Sequence, residues 1–408
     1  MKKKKKKASN PRRGSVGIVP AAAFSAALVA LAGLAALTAS GAPASSASSA
    51  ASPSAATAAP RTVVTADGVR LRVETVVTGL EVPWSIAFTS PTRMLVTERP
   101  GRVRVVENGA LRAAPLATVE VEATGETGLM GLALAPDYVA SHLLYLSYAR
   151  GSGSSMRVRV EQFRDEGTRI VPVRVILDGL PASQFHAGCR LRFGPDGKLY
   201  VTTGDATERT LAQKMDSLAG KTLRLNADGS IPADNPFRGS PIYSLGHRNS
   251  QGLDWQPGSG LQFQTEHGPS GFDGPGGGDE VNIVEAGKNY GWPVIHHKAG
   301  RAGLVSPLLE FTPAIAPSGA SFVHGGALPK LAGSFVFAAL RGEKLVLVRF
   351  DASDSRRVAA VEDLFAGEYG RFREVMRGPD GALYVSTSNR DGRGRVRAGD
   401  DRILRLSE

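Results

Sequence analysis

Within FHAGCRLRFGPDGKLYVTTGD (185–205), two residues have the types and spacing for proton transfer: His186 near the start and Asp205 at the end. Between them, Leu191 to Thr203 reads as apolar strand, Pro-Asp-Gly turn and second apolar strand, a β-hairpin signal. A hairpin returns the end of its second strand to the level where the first began. The carboxylate can then orient the imidazole, as a general base requires. A partly buried histidine with a hydrogen-bonded neighbour is the competing reading of the same pair.

A second group lies in GHRNSQG (246–252), EHGP (266–269), DEVN (279–282) and NYGWP (289–293). Arg248 and Asn249 precede one expected strand, and Gly268 and Pro269 follow its hairpin partner. Carbonyls of a Gly-Pro turn suit a hard cation, and Asp279 with Glu280 adds carboxylates, unless that pair is an exposed acidic loop. Arg371 and Arg373 in GRFREV stand two apart, on one face of a strand. With Arg341, after the second strand of the preceding unit, they suit a ligand bearing several carboxylates, because each guanidinium can bind one bidentately. Taken singly, each arginine is ordinary surface charge. His247, His267 and His324 are expected near the same opening. The Gly-rich GFDGPGGG (271–278) reads as a flexible loop with no assigned role.

These residues need a scaffold that gathers strand ends. Six similar units, beginning near Pro83, Gly131, Leu191, Gly252, Ser318 and Arg373, each show a short apolar strand, a Pro/Gly/Asp turn and a strand rich in β-branched or aromatic residues. The starts from Pro83 to Arg373 span 290 residues, a mean of 58 per step. A repeat of several tens of residues made only of strand and turn predicts radial blades around a channel. Residues 63–408 are therefore expected to form an all-β, six-bladed β-propeller. A two-sheet sandwich does not account for six hairpins, and no long 3.6-residue period supports a helical solenoid. In a propeller, polar groups at strand ends collect at one mouth.

The first sixty residues read differently. A basic start (Lys2 to Lys7, Arg12, Arg13) and an apolar run from Ile18 to Leu37 precede an Ala/Ser/Pro/Thr tract reaching Pro60. Residues 1–44 are expected to be a secretory signal or an uncleaved anchor, and residues 45–62 a spacer, so the protein is expected to be exported and membrane-bound only if uncleaved. These sixty residues hold eight of the 49 basic side chains and no acidic one, leaving 41 against 38. So balanced a domain gives no electrostatic reason to expect nucleic acid. The single Cys189 excludes an internal disulfide.

PWSIAF, GETGLMGLALAPDY, HAGCRLRFGPDG with its GD, GHRNSQGL, EHGP, DEVN, NYGWP, APSG and RFREV occur in this order. From about Val82 onward the chain thereby resembles the soluble pyrroloquinoline-quinone (PQQ)-dependent sugar dehydrogenases, the glucose/sorbosone and aldose sugar dehydrogenases. That family is a six-bladed propeller. The resemblance implies PQQ and Ca2+ as cofactors, an aldose as substrate and an unidentified electron acceptor. It implies His186 as the base toward the anomeric hydroxyl, Asp205 as its orienter, and Arg248 beside the reacting quinone carbonyl. Asn249 and Gln251 match the cofactor site, Arg371 and Arg373 the grip on its carboxylates, and Gly268 and Pro269 the carbonyl ligands of the quinone's calcium. Asp279, Glu280 and Tyr290 match a separate structural calcium site.

Four positions depart from the pattern. Glu126 stands where some members have Gln, and Arg341 where Lys is frequent. Cys189 replaces a small residue close to the quinone site. Aromatic residues expected before PAIAPSG are reduced to Phe311. The expected function is oxidation of an aldose C1 hydroxyl to the lactone. The alternatives are a non-catalytic carbohydrate- or protein-binding propeller and a calcium-dependent lactonase-like hydrolase.

Overall fold

Runs of Val, Ile, Leu and Phe broken by Pro/Asp/Gly turns fold as successive antiparallel strands. The computed structural model, which describes residues 59–408, arranges them in six sheets. The innermost strands are Pro83–Ser90, Leu129–Leu134, Gly188–Phe193, Ser250–Trp255, Pro317–Phe322 and Phe372–Arg377, which open blades one to six. Each packs on the next, and the sixth packs on the first, closing a ring. The six-bladed propeller is therefore present, and its inner strands coincide with the first strands of the six sequence units.

In blades two to five the remaining strands follow outward in chain order. Blade six is built from both ends of the described chain. Phe372–Arg377, Leu383–Thr387 and Ile403–Ser407 are completed by Arg70–Val77 and Arg61–Val64, with Arg72 opposite Ser407 and Val73 opposite Leu406. Pairing the two ends removes an open seam, a liability in any sheet structure. The first strand begins at Arg61, inside the stretch read as spacer. The signal or anchor reading of residues 1–44, and the spacer before residue 59, lie outside the described residues. Among the described residues no helix is long and apolar enough to cross a membrane.

All six inner strands slip register near their first residues: at Pro83/Ser85, Leu129/Leu132, Gly188/Leu191, Ser250/Gly252, Pro317/Ala320 and Phe372/Glu374. Such a bulge re-aims the extra side chain instead of continuing strict alternation. Trp84, Arg190, Gln251 and Arg373 all occupy bulge positions. Arg190 is thereby placed to pair with Glu374, their side chains 1% and 0% exposed. The Arg190 Nε also donates to the Gln251 carbonyl at 2.8 Å, and its guanidinium carbon lies 4.2 Å from the Trp84 ring centre. The buried Arg190 side chain thus bolts blade three to blades one, four and six. Cys189, buried in the core between blades two and three, has its thiol pushed up to about 12 by burial. It stays protonated, as an inert core residue does.

Candidate active site

His186 immediately precedes blade three and adopts a left-handed backbone, φ 56°. Opposite it, a Cβ on Gly204 would lie 1.8 Å from the His186 carbonyl oxygen, so the close approach requires glycine there. The His186 Nδ1 stands 2.8 Å from Asp205 Oδ1. Asp205 also accepts 2.8 Å hydrogen bonds from the Trp292 indole Nε1 and from the Thr207 backbone N–H. These fixed donors leave the carboxylate to accept from Nδ1–H, which puts the free lone pair of neutral imidazole on Nε2. Among the described residues no hydrogen bond engages Nε2.

His186 lines a cavity of about 710 Å³ at the mouth where the inner strands begin. Glu126, Arg248, Gln251, Gly268, Pro269, Asp279, Arg341, Arg371 and Arg373 line it too. Most residues singled out by spacing therefore meet in one place. The Arg248 guanidinium bonds Asp273 at 2.7 Å, the His267 carbonyl at 3.1 Å and Ser270 Oγ at 2.9 Å. Asp273 belongs to the Gly-rich loop left without a role. Burial opposes its charge, but Arg248 and the Ser270 N–H hold its carboxyl below the ordinary range. Asn249 does not line the cavity. Its Oδ1 accepts from Gly188 N–H at 3.1 Å and its Nδ2 donates to Glu126 at 3.3 Å, so it braces the walls.

Arg371 and Arg373 share Asp391, which sequence reasoning missed. Arg371 Nε donates to it at 2.8 Å and Arg373 stands 3.8 Å away. Burial lowers the Arg373 guanidinium to about 10, with Asp391 opposing the shift. Its Nε reaches Ser388 at 3.1 Å and Nη1 reaches Gln251 only at 3.5 Å. Arg393, also unforeseen, crosses the mouth to Glu126 at 3.0 Å. Burial alone would raise Glu126, but His267, His186 and Arg393 outweigh it and lower the carboxyl to about 2. His267 itself is lowered by burial and has an unpartnered Nε2.

Of the three residues matched to a separate calcium site, Glu280 and Tyr290 share one small cavity and Asp279 lines the main one. Adjacent strand residues point to opposite faces. Asp279 lines the main cavity and accepts from the Gly268, Ile315 and Ala316 N–H groups at 2.7, 2.6 and 2.6 Å. Glu280 and Tyr290 face a separate small cavity behind the Gly268–Pro269 turn. The Tyr290 hydroxyl donates to the Ile283 carbonyl at 2.6 Å and accepts from Glu285 N–H at 2.9 Å. Asp279 thus shapes the turn. His247 is buried between Glu266 and Ser244, and His324 lines a different pocket, beside Arg377. Phe311 packs on Phe337 at 5.8 Å, away from the cavity, where Thr312, Pro313 and Ala314 form the wall.

The donor set fits PQQ, a planar polycarboxylate. Five arginines line the cavity (248, 341, 371, 373 and 393) against two carboxylates, Glu126 and Asp279. Arg373 in particular is a buried cation with long, incomplete compensation, which an arriving carboxylate would complete. The Pro269 carbonyl accepts from Gly277 N–H at 3.1 Å and retains a second lone pair. Among the described residues no cluster of three or more His, Cys, Asp or Glu side chains is gathered as a metal site. The Gly268–Pro269 turn offers backbone carbonyl oxygen to a hard cation at the cavity wall.

Comparison with known proteins agrees with this chemistry. The model of the Glucose / Sorbosone dehydrogenase family matches residues 80–404. Aldose sugar dehydrogenase YliI of Escherichia coli is 32% identical over 79% of this chain and 91% of its own. Quinoprotein glucose dehydrogenase B of Acinetobacter calcoaceticus is 33% identical over 53% of this chain and 51% of its own. The PQQ-bound aldose sugar dehydrogenase of Streptomyces coelicolor superposes with a TM-score of 0.73 at 36% identity, covering 83% of this chain and 98% of that one.

Proposed function

The chain belongs to the glucose/sorbosone dehydrogenase family of oxidoreductases, and from that premise we propose that it oxidises the C1 hydroxyl of an aldose to the lactone with PQQ and Ca2+. The observation that carries this reading is that the His186–Asp205 pair and the arginine cluster open onto one cavity.

In this reading His186 Nε2 takes the proton of the C1 hydroxyl as C1–H leaves as hydride, so C1–O becomes the carbonyl of the lactone. Asp205 keeps Nδ1–H directed inward and balances the imidazolium that forms. Trp292 and Thr207 hold Asp205 in place. Arg248, aimed by Asp273, stabilises negative charge developing on oxygen. Arg371, Arg373 and Arg341 are assigned to the cofactor's carboxylates, and Gln251 to the wall beneath it. The Gly268 and Pro269 carbonyls are assigned to Ca2+. Held by these residues, PQQ would supply the two-electron acceptor for the hydride, with an external electron carrier as the final acceptor. We place the activity outside the cytoplasm, on the basic start and apolar run of residues 1–44.

The test loads the purified protein with PQQ and CaCl2, supplies an aldose panel, and follows dye reduction together with lactone release. Turnover that depends on both additions supports the proposal. Lack of turnover with every aldose removes it and leaves a binding propeller.

A further inference from the structure

The main cavity has polar walls. Among the described residues that line it there is no Phe, Tyr or Trp, and the expected aromatic Phe311 is turned into the packing of blades four and five. A sugar ring presents C–H faces as well as hydroxyls, and its recognition needs an apolar surface to cover them. At the mouth the Phe185 ring is covered by the Arg393 guanidinium, whose carbon lies 5.4 Å from the ring centre, whereas Phe272 has no such cover among the described residues. Phe272, in the Gly-rich loop, is 69% exposed yet stacks over the His186 imidazole, with ring centres 6.2 Å apart and planes 20° from parallel.

Its loop is pinned on both sides. Next to it, Asp273 accepts from Arg248 at 2.7 Å and from Ser270 N–H at 2.9 Å, and its carbonyl accepts from Arg209 at 2.9 Å. Farther on, Gly277 N–H donates to the Pro269 carbonyl at 3.1 Å and Gly278 N–H to Thr312 at 2.9 Å. A solvent-facing benzyl group is thus held beside the proposed base by the residue that aims Arg248. The chain spends its hydrogen bonds on the loop and leaves the ring uncovered, as a contact surface for something that arrives.

We propose that Phe272 is the apolar platform of the substrate subsite, packing on the C–H face of an aldopyranose whose anomeric hydroxyl points to His186. This rests on the aldose-oxidising reading above and adds to it a ring-shape preference: an aldopyranose with only C–H bonds on the face toward Phe272 is favoured over one with an axial hydroxyl there. Phe272 is assigned to the sugar because its ring stacks on the imidazole proposed as the base toward C1.

The experiment compares wild type with Phe272→Ala and Phe272→Trp, each loaded with PQQ and Ca2+, over a panel of aldopyranoses at several pH values. Phe272→Ala is expected to raise KM about tenfold for the preferred sugars, the lower end of what one apolar contact contributes to discrimination. It should leave kcat, its pH profile and PQQ affinity near wild type, and flatten the preference across the panel. Phe272→Trp should restore KM. The exposed position makes misfolding a minor concern, and a thermal melt checks it. If KM in Phe272→Ala stays within twofold while wild type is active, the platform is refuted alone. If instead kcat falls and its pH profile shifts at constant KM, Phe272 only shields His186 and the proposal fails. A wild type inactive on every aldopyranose overturns the underlying reading and this one together.

Discussion

Replacing Asp205 by Asn probes the proposed base without changing side-chain size. The carboxylate has two oxygens and three neighbours in contact: Oδ1 faces His186 Nδ1 and Thr207 N–H, while Oδ2 accepts the Trp292 indole N–H. An amide has one oxygen and one NH2, so no orientation serves all three. With oxygen toward His186, the NH2 meets the indole N–H, donor against donor. With the amide flipped, NH2 meets Thr207 N–H and can bond His186 only if Nδ1 is unprotonated, which moves the proton to Nε2 and removes the base. Either way one buried donor is orphaned, at a cost of about 1–3 kcal/mol of stability. In both orientations the charge opposing the imidazolium is gone. Losing general-base catalysis lowers kcat by roughly 10²–10⁴-fold. Stopped-flow measurement of cofactor reduction in the loaded enzyme gives that rate, and denaturant titration gives the stability. A rate within about tenfold of wild type would refute the argument, because general-base catalysis is worth at least that much.

Glu374→Ala should destabilise the propeller by about 3–5 kcal/mol, since it leaves the Arg190 guanidinium buried without its partner. Denaturant midpoints measure this, and Arg190→Met with Glu374→Leu should recover most of the loss; a Glu374→Ala protein as stable as wild type contradicts the buried bolt. Glu126 is lowered from 4.5 to about 2, so its contribution is present above pH 4.5 and lost as pH falls toward 2. That contribution is on the order of 3 kcal/mol. Glu126→Gln should therefore flatten the acid limb of stability between those pH values, and an unchanged limb would show that Glu126 is unperturbed.

The architecture was legible because each inner hairpin writes its own turn, as in FGPDGKLY (193–200) and RGPDGALY (377–384). His186 and Asp205 were legible for the same reason, flanking one hairpin. What escaped depends on contacts distant in sequence. Trp292 reaches Asp205 across 87 residues, and NYGWP gives no hint of that partner. Asp391 and Arg393 sit in a loop rich in Gly and Arg that resembles surface charge until blade six folds beneath it. Asp273 was hidden among glycines. The bulges that aim Gln251 and Arg373 leave no trace in apolar alternation, since they are set by the crowding of six strands around one axis. Adjacency in DEVN pairs Asp279 with Glu280, but neighbouring strand residues face opposite ways, and Asp279 accepts backbone N–H groups of loops that the sequence does not place beside it.

His186 is proposed as a base facing a cofactor held by other residues. The most direct measurement takes His186→Ala, titrates PQQ in the presence of Ca2+, and follows aldose-dependent cofactor reduction in the same samples. PQQ affinity is expected to stay within about twofold of wild type while reduction slows by at least about 10²-fold. Weakened PQQ binding with the residual bound fraction reacting at the wild-type rate would contradict that role.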